Sequence, residues 1–299
     1  METALTLRLS AAIGAALLAA WPALGQIEVV QQVVPKHAVL YEPIKARVVI
    51  RNNTGGVLNF DAGREPARFF FEVEFGKNEA VRQTDRSPLL FGVKIVPFET
   101  RTNEFNLTEL YSMRALGVYK VSACLEWQDK LFVSAPIEIE IRRGFEMVRL
   151  VAGVPGESSV LRAYILEYLS KDDGENVYLR IEDEQARTIY GMFNLGRIVR
   201  VRKPELKVDE SGNVHVLFQT MSMDFVHTAF TPYGVQLFSR TYTDKSGSIA
   251  LVNLPNGQIS VSLPQSEGGA ARGAGPPGLP PLESLPKKLS SELFGTKPE

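Results

Sequence analysis

The sequence has 299 residues, of which 44% are hydrophobic, and its 33 basic side chains nearly balance 34 acidic ones. This composition predicts a globular protein that is long enough for two domains with separate cores. The balanced charge excludes a broad basic surface of the kind that binds nucleic acid or anionic lipid.

The first 25 residues have the composition of a secretory signal peptide. Arg8 precedes an apolar run from Leu9 to Trp21, and small residues follow at positions 23–25. This pattern predicts cleavage before Gln26 and a mature protein that is periplasmic or secreted. The apolar run is shorter than the about 20 residues of a membrane span. Because no cysteine lies near the cleavage point, we expect no lipid anchor, and because no later apolar segment is long enough, we expect no membrane span in the mature chain.

The only cysteine, Cys124, has no partner for a disulfide within the chain. Export permits disulfides, but this fold must depend on its apolar cores alone. A catalytic thiol needs a basic, partly exposed setting, whereas Cys124 lies between Ala123 and Leu125 in a predicted strand. We interpret it as a packing residue.

Residues 26–143 show short β-branched and aromatic runs separated by turn residues, without a convincing helical pattern. The runs are IEVVQQVV, IKARVVIRN, ARFFFEVEF, LFGVKIV, TNEFNLTEL, GVYKVSACLEW and LFVSAPIEIEI. So many short strands favour a two-sheet β-sandwich. Because side chains alternate along a strand, one face of GVYKVSACLEW is predicted to be buried. That face carries Tyr119, Val121, Ala123, Leu125 and Trp127. The last run returns antiparallel after a turn, and Pro136 indicates an edge or a bulge.

Three pieces of this segment resemble bacterial immunoglobulin-like domains of exported proteins. They are EPIKARVVIRNNTG, GVYKVSACLEW and SAPIEIEI. The resemblance covers about a hundred residues, as such domains do, but the inter-sheet cysteine pair of antibody domains is missing. It implies an immunoglobulin-like sandwich that serves as a binding or spacing module rather than as a catalyst.

Residues 144–264 are predicted to form a second antiparallel β domain built from hairpins. The phrases ENVYLRI, GNVHVLF and GQISVSL recur at intervals of roughly forty residues, and each follows a glycine turn. The segment TPYGVQLFSRTY, which turns at Gly234, supplies an outer hairpin. This arrangement resembles the blades of bacterial β-propellers. Because a closed propeller takes about four to eight blades, the units either form a small open arrangement or repeat by chance.

Four side chains of the second domain could in principle hold a transition metal, namely Asp209, His215, Asp224 and His227. Their spacing matches no metal-binding motif, so we predict no metal, no cofactor and no catalytic residue. Together with Tyr233 they form a candidate binding surface. Six tyrosines of this domain are possible contact residues, although packing is the expected role of most of them. They are Tyr164, Tyr168, Tyr178, Tyr190, Tyr233 and Tyr242.

The acidic run at 182–184 is predicted to be a solvated hairpin end. Its consecutive carboxylates point in different directions and therefore suit no paired-carboxylate chemistry.

Residues 265–299 are predicted to form a flexible tail rich in glycine and proline. Leucines at helical intervals near its end indicate a short amphipathic helix over Leu285–Phe294, which could dock on a partner. Disorder is the alternative for this piece.

These features together predict an all-β, exported, non-enzymatic protein that binds an exported protein or an envelope polymer. Two alternatives remain open. One is a metal-dependent hydrolase whose site includes Asp209, His215, Asp224 and His227. The other is an inhibitor of an exported protease that presents the loops of the sandwich.

Overall fold

The fold is nearly all β, which confirms the predicted class. A computed structural model describes residues 26–61, 66–84, 87–171 and 174–262, although not the side chain of Ser158. Within these residues the chain forms 21 strands and a single helix of one turn. None of the described helical structure could cross a membrane. The predicted signal peptide, and the predicted tail with its helix Leu285–Phe294, lie outside the described residues.

Eleven strands precede residue 144. In chain order they are β1 (Ile27–Val34), β2 (His37–Val39), β3 (Lys45–Asn52), β4 (Leu58–Asn59), β5 (Arg68–Phe75), β6 (Glu79–Ala80), β7 (Lys94–Ile95), β8 (Thr100–Asn106), β9 (Gly117–Trp127), β10 (Lys130–Val133) and β11 (Ile137–Arg142). A helix, α1 (Leu107–Leu110), follows β8 directly. The expectation of no helix was wrong at this point. The side chain of Asn106 accepts a hydrogen bond from the backbone of Thr108, and this N-cap starts the helical turn.

Two sheets face each other across one core and form a β-sandwich. The first sheet has the order β1–β3–β8, and the second has the order β2–β11–β9–β5–β6, with β10 also paired to β9. All of these pairs are antiparallel except β2 with β11, which is parallel. The predicted face of β9 is buried in this core, including Trp127.

The last predicted run of the sandwich is split into two strands by Pro136. Val133 pairs with Cys124, but Ile137 pairs with Val121, so the register along β9 changes by one residue between β10 and β11. This irregularity agrees with the predicted edge or bulge position of the proline.

Cys124 is buried on the outer face of β9, opposite the main core. Burial raises the pKa of its thiol, and the carboxylate of Glu72 acts in the same direction. A thiol with a raised pKa is a poor nucleophile, so the interpretation of Cys124 as a packing residue is confirmed.

Ten strands follow residue 144. They are β12 (Phe145–Val154), β13 (Glu157–Lys171), β14 (Gly174–Asp183), β15 (Ile189–Arg197), β16 (Glu205–Val208), β17 (Val214–Gln219), β18 (Asp224–Phe230), β19 (Gln236–Thr243), β20 (Ala250–Asn253) and β21 (Ile259–Ser262). They pair in sequence order as two four-stranded antiparallel sheets, β12–β15 and β16–β19, and one hairpin, β20–β21.

The two four-stranded sheets pack face to face. Their shared core includes Tyr164, Leu166, Val177, Leu179, Val214, Val216, Phe218 and Phe230. The hairpin β20–β21 covers the other face of the sheet β16–β19, where Leu251 and Ile259 pack with Leu217 and Phe225. Glu205 accepts a hydrogen bond from the backbone N–H of Leu251 (2.9 Å), and Lys207 donates to its carbonyl (2.7 Å). The hairpin is therefore held by polar contacts at both backbone groups of one residue.

The aligned repeat phrases do not occupy equivalent strands. GNVHVLF and GQISVSL fall on β17 and β21, each the second strand of its sheet, whereas ENVYLRI falls on β14, the third. The strand of the first sheet that corresponds by position is β13. The glycine turn at Gly234 does join β18 to the outer strand β19, as predicted.

Glu42 connects the sandwich to the sheet β12–β15. Its carboxylate accepts hydrogen bonds from the backbone of Val39 (2.8 Å) and the side chain of Asn194 (3.4 Å), and it lies 3.8 Å from Lys171 Nζ. Burial raises the pKa of this carboxyl. No sheet of the described residues combines strands from both sides of residue 144, yet all described residues belong to one compact unit. The predicted division into domains 26–143 and 144–264 stays a prediction.

At Gly212 the turns at the ends of the two four-stranded sheets pack closely against each other. It has a φ of +81°, and a Cβ there would lie 2.5 Å from Pro155 Cδ, whereas at Gly247 (φ +67°) a Cβ would meet nothing within 4 Å. We expect Gly247→Ala to cost about 1 kcal/mol of unfolding free energy from backbone strain alone. Gly212→Ala is expected to cost about 2–4 kcal/mol because overpacking adds to this strain. Urea unfolding measures both, and equal costs would contradict the close approach.

Candidate functional site

Two of the predicted site residues, His215 and His227, form a buried pair on the sheet β16–β19. His215 pairs with Ala229 and Leu217 pairs with His227, so the two imidazoles are diagonal neighbours on the same face. His215 Nδ1 lies 3.0 Å from His227 Nε2. His215 Nε2 lies 3.3 Å from Asp209 Oδ2. The result is a chain of hydrogen bonds from the turn at Asp209 to the middle of β18.

The carboxylate of Asp209 sets the direction of this chain. It accepts hydrogen bonds from the backbone and side-chain amides of Asn213, and it can only accept from His215 Nε2–H. His215 Nδ1 is then the acceptor for His227 Nε2–H. Both ring nitrogens of His215 are therefore committed to hydrogen bonds, and they point in opposite directions rather than at one common point.

This geometry differs from that of a metal site, in which lone pairs converge on one ion. Among the described residues, no three His, Cys, Asp or Glu side chains come together in a way that could hold a metal ion. Asp224 lies an odd number of residues from His227 on the same strand and so projects from the opposite face. Its carboxylate instead accepts a hydrogen bond from Thr243 (2.9 Å).

The surroundings of the pair disfavour its protonated form. Burial lowers the pKa of His227 to about 4, and the positive charges of a protonated His215 and of Arg240 act in the same direction. Burial also lowers the pKa of His215, although the hydrogen bond to Asp209 opposes that shift. Lys207 pairs with His215 on the neighbouring strand and adds one more nearby cation. The pair is neutral at pH 7.

Tyr233 lies apart from the histidines, in the turn between β18 and β19, where it forms an exposed aromatic pair with Tyr190. The two rings are 38% (Tyr190) and 50% (Tyr233) exposed, and their centroids are 6.1 Å apart with an edge-to-face geometry. Of the other tyrosines considered as contacts, Tyr164 and Tyr178 are fully buried. The sequence could not separate these roles, because the exposed ring of Tyr190 follows from an irregularity in the pairing of β14 with β15.

A fully buried arginine, Arg162, supports the aromatic pair from below. Its Cζ lies 3.8 Å from the centroid of the Tyr190 ring and 5.7 Å from that of Tyr233. Its Nη1 makes a 3.3 Å ion pair with Asp183, and the hydroxyl of Tyr233 hydrogen-bonds to Glu157. We name the set Tyr190, Tyr233, Arg162 and Glu157 the tyrosine platform.

Arg162 escaped the sequence analysis, although a signal was present. Along β13 it shares a face with Tyr164 and Leu166, and that face packs in the core between the two four-stranded sheets. An arginine in phase with buried residues is unusual, because a charged group is rarely buried unless it is paired. The acidic run beside it also differs from expectation: Glu182 is buried among Arg149, Arg180 and Arg187 rather than solvated.

Tyr190 also lines a cleft of about 480 Å³ between the sandwich and the end of the sheet β12–β15. The sandwich contributes residues near β2 and α1, and the sheet contributes the turn before β15 and its first residues. The lining residues are Tyr41, Thr108, Met113, Arg114, Arg187, Thr188, Ile189, Tyr190 and Gly191.

Comparison with known proteins gives little further information. No protein family and no curated protein matches the sequence. Among solved structures, the chain is similar to Spo0M, a sporulation control protein from Bacillus subtilis, with a TM-score of 0.26 and 12% sequence identity. The similarity covers 57% of this chain and 91% of that chain. A TM-score this low carries no argument about function.

The histidine pair predicts how stability depends on pH. A histidine whose native pKa is lowered takes up protons more readily when unfolded, so the free energy of unfolding falls as pH drops from about 6.5 towards 4. We expect His227→Gln, which keeps a donor for His215, to reduce this loss by on the order of 2 kcal/mol. Urea unfolding at pH 7 and pH 4.5 measures the difference.

Phe238→Leu is the matched control, because Phe238 contacts the His227 ring edge-to-face but does not titrate. It should lower stability by a similar amount at both pH values. The same pH dependence in wild type and His227→Gln would contradict the assignment of a neutral, buried pair.

Proposed function

We propose that the protein is an exported, non-enzymatic binding or assembly protein of the cell envelope. It contacts a protein or an envelope polymer through the tyrosine platform. The observation that carries this proposal is the pair of exposed tyrosine rings held over a fully buried arginine.

The platform has the physical properties of a contact site. Tyrosine offers a large amphipathic surface with few rotatable bonds, and it is enriched where interfaces gain most of their binding energy. Stacking on Arg162 and the hydrogen bond to Glu157 restrict both rings before a partner arrives. Binding therefore loses little side-chain entropy, which favours affinity.

The first half of the chain is proposed to be an immunoglobulin-like module. The strand order in both sheets and the parallel pairing of β2 with β11 support this assignment. So does Tyr119, near the start of β9, whose hydroxyl donates to the carbonyl of Ala115 (3.0 Å) and accepts from its N–H (2.9 Å). A tyrosine that binds backbone a few residues upstream at this corner is typical of such sandwiches.

The second half is proposed to be a small open set of propeller-like blades. Support comes from two consecutive four-stranded antiparallel sheets that pack face to face, followed by one hairpin in the same stacking direction. Stacked blades of this kind present rows of turns, and turns on a rigid scaffold are common places for binding residues.

The hydrolase alternative has less support than the binding role. Its four candidate ligands are divided between two faces of one sheet, and the two histidines bind each other and Asp209. They are also buried beneath the aromatic ring of Phe238. A hydrolytic metal centre needs an open coordination position for water or substrate, which this arrangement does not supply.

Export predicts a defined mature N-terminus. When the full chain is expressed in a Gram-negative host and the periplasmic fraction is collected, we expect an intact mass that begins at Gln26. A change of Ala23 and Gly25 to bulky residues should leave the precursor uncut. Full-length protein in the cytoplasm, with no processed form, would contradict export.

The platform predicts site-specific contact in the envelope. We expect a photo-crosslinking phenylalanine placed at Tyr233 or Tyr190 in living cells to form covalent adducts. The same residue at Val201, which is 84% exposed on the β15–β16 connection, should form none. Peptides of a second protein, detected by mass spectrometry of the adduct, identify a protein partner, and loss of the added mass on muramidase treatment identifies peptidoglycan. Equal adducts at all three positions, or none, would contradict the proposed contact surface.

A further inference from the structure

The cleft beside Tyr190 is lined by positively charged and polar side chains. Two of its nine lining residues are arginines, Arg114 and Arg187, and none is acidic. Two threonines add hydroxyl groups, while Met113 and Ile189 supply apolar surface. Guanidinium groups bind carboxylates through paired hydrogen bonds, so the lining suits an anionic ligand with some apolar surface.

Arg187 is available to such a ligand. Its Nη1 lies 3.5 Å from Glu182, a carboxylate that also faces Arg149 at 3.6 Å and Arg180 at 3.5 Å. Arg149 also pairs with Glu184, and Arg180 also pairs with Glu167 at 2.9 Å, so Glu182 is a shared and distant partner for Arg187. The side chain of Arg187 is largely exposed, so a carboxylate from outside can approach it without displacing a buried group.

The buried Arg162 places a further positive charge behind the wall. Its Nε and Nη2 have no hydrogen-bond partner among the described residues, and its guanidinium stacks on Tyr190, which lines the cleft. Because arginine stays protonated at all physiological pH values, this charge is permanent. Asp183 offsets part of this charge, and the unpaired Nε and Nη2 groups on the rest of the guanidinium favour an anion near the Tyr190 ring.

The cleft also includes the free edge of a sheet. Strand β15 is last in the order β12–β13–β14–β15, and its first residues, Ile189 to Gly191, line the cleft. An edge strand can pair its outward backbone groups with an extended peptide, which then adds to the sheet. A polysaccharide lacks the regular N–H and C=O pattern that such an edge matches.

Two residues that line the cleft have an unusual backbone conformation. Tyr41 and Arg187 both have positive φ, at 75° and 57°, although neither is a glycine. For a bulky residue this region is costly, and such residues tend to occur where the surrounding structure holds a functional side chain in place. Two of them on opposite walls of one cleft fix the positions of a tyrosine ring and an arginine.

We propose that this cleft binds an extended peptide that pairs with the edge of β15 and places a carboxylate between Arg114 and Arg187. The proposal rests on the binding role proposed above and names its partner as a protein with an acidic, extended segment. The carboxylate can come from an Asp or Glu side chain or from a C-terminus, and the two sources are separable by experiment.

Fluorescence anisotropy with the full mature chain tests the proposal. The probes are a fluorescein-labelled hexapeptide of alternating valine and glutamate with a blocked C-terminus, the same peptide with glutamine for glutamate, and the glutamine peptide with a free C-terminal carboxylate. A labelled oligogalacturonate is the polysaccharide arm. We expect the glutamate peptide or the free-carboxylate peptide to bind, and the blocked glutamine peptide not to bind.

Arg114→Gln and Arg187→Gln are each expected to weaken binding about tenfold, since each removes a charge-assisted hydrogen bond. Both side chains are exposed, so both variants should fold, which thermal unfolding checks. Arg47→Gln, an exposed arginine on β3, is the matched control and should change affinity less than about twofold. Raised salt should weaken binding of wild type.

Several outcomes would overturn the proposal. They are no binding of any peptide, equal binding of the blocked glutamine peptide, or equal affinities of all three arginine variants. Binding of oligogalacturonate alone, lost in Arg187→Gln, would replace the peptide by an acidic polysaccharide. If adducts at Tyr233 persist in an Arg114→Gln/Arg187→Gln double variant while no peptide binds, only this inference fails. If no adducts form at Tyr233 in the otherwise wild-type protein, that result would instead contradict the proposed function.

Discussion

The second half of the chain depends on one constraint, which is that β17, inside the sheet β16–β19, is covered on both faces. Every residue of β17 is buried, with Val214, Val216 and Phe218 packed against the neighbouring sheet and Leu217 packed under the hairpin β20–β21. A strand in this position has no solvent face on which to place polar groups. Any polar side chain on it must therefore find a partner inside the protein.

His215 meets this requirement through Asp209 and His227. Arg162, which lies on β13 of the neighbouring sheet and is also fully buried, meets the same requirement only in part. The histidines are neutral, so their burial needs hydrogen bonds but no counter-charge, and the chain of three groups provides them. Arg162 cannot become neutral, and it makes one ion pair, with Asp183, at 3.3 Å. Stacking on Tyr190 compensates some of the remaining cost. An incompletely paired charge beside an exposed ring and an open cleft is better explained by a ligand than by stability, because burial of an unpaired charge destabilises a fold.

Strand periodicity predicted where the strands lie in the sequence, but it did not predict how they pair. Alternation located β9 and its buried face, because a two-residue period is local information. The repeat phrases were matched one strand out of step, because all three strands follow similar glycine turns and only the pairing order distinguishes them. Asp209, His215 and His227, which the sequence analysis grouped in one candidate site, lie together in the structure. Asp224 and Tyr233 were grouped with them but lie elsewhere. Asp224 projects from the opposite face of β18, and Tyr233 lies in the turn after β18, beside Tyr190. The position of Arg162 in a strand was visible in the sequence, but its stacking on Tyr190 and the position of Arg114 beside the cleft follow only from the tertiary structure.

The order of pairing also explains why the proposed contact residues meet. In a sheet whose strands pair in sequence order, alternate turns lie at the same end, so the turns after β12, β14, β16 and β18 gather together. Gly212 accordingly approaches Pro155 and Pro232, and Gly234 approaches Phe193 and the carbonyl of Tyr190. Tyr190 and Tyr233, from different sheets, become neighbours through this stacking alone. Turns tolerate substitution better than the strands that they connect. A fold of this kind can therefore change its contact residues without changing its core.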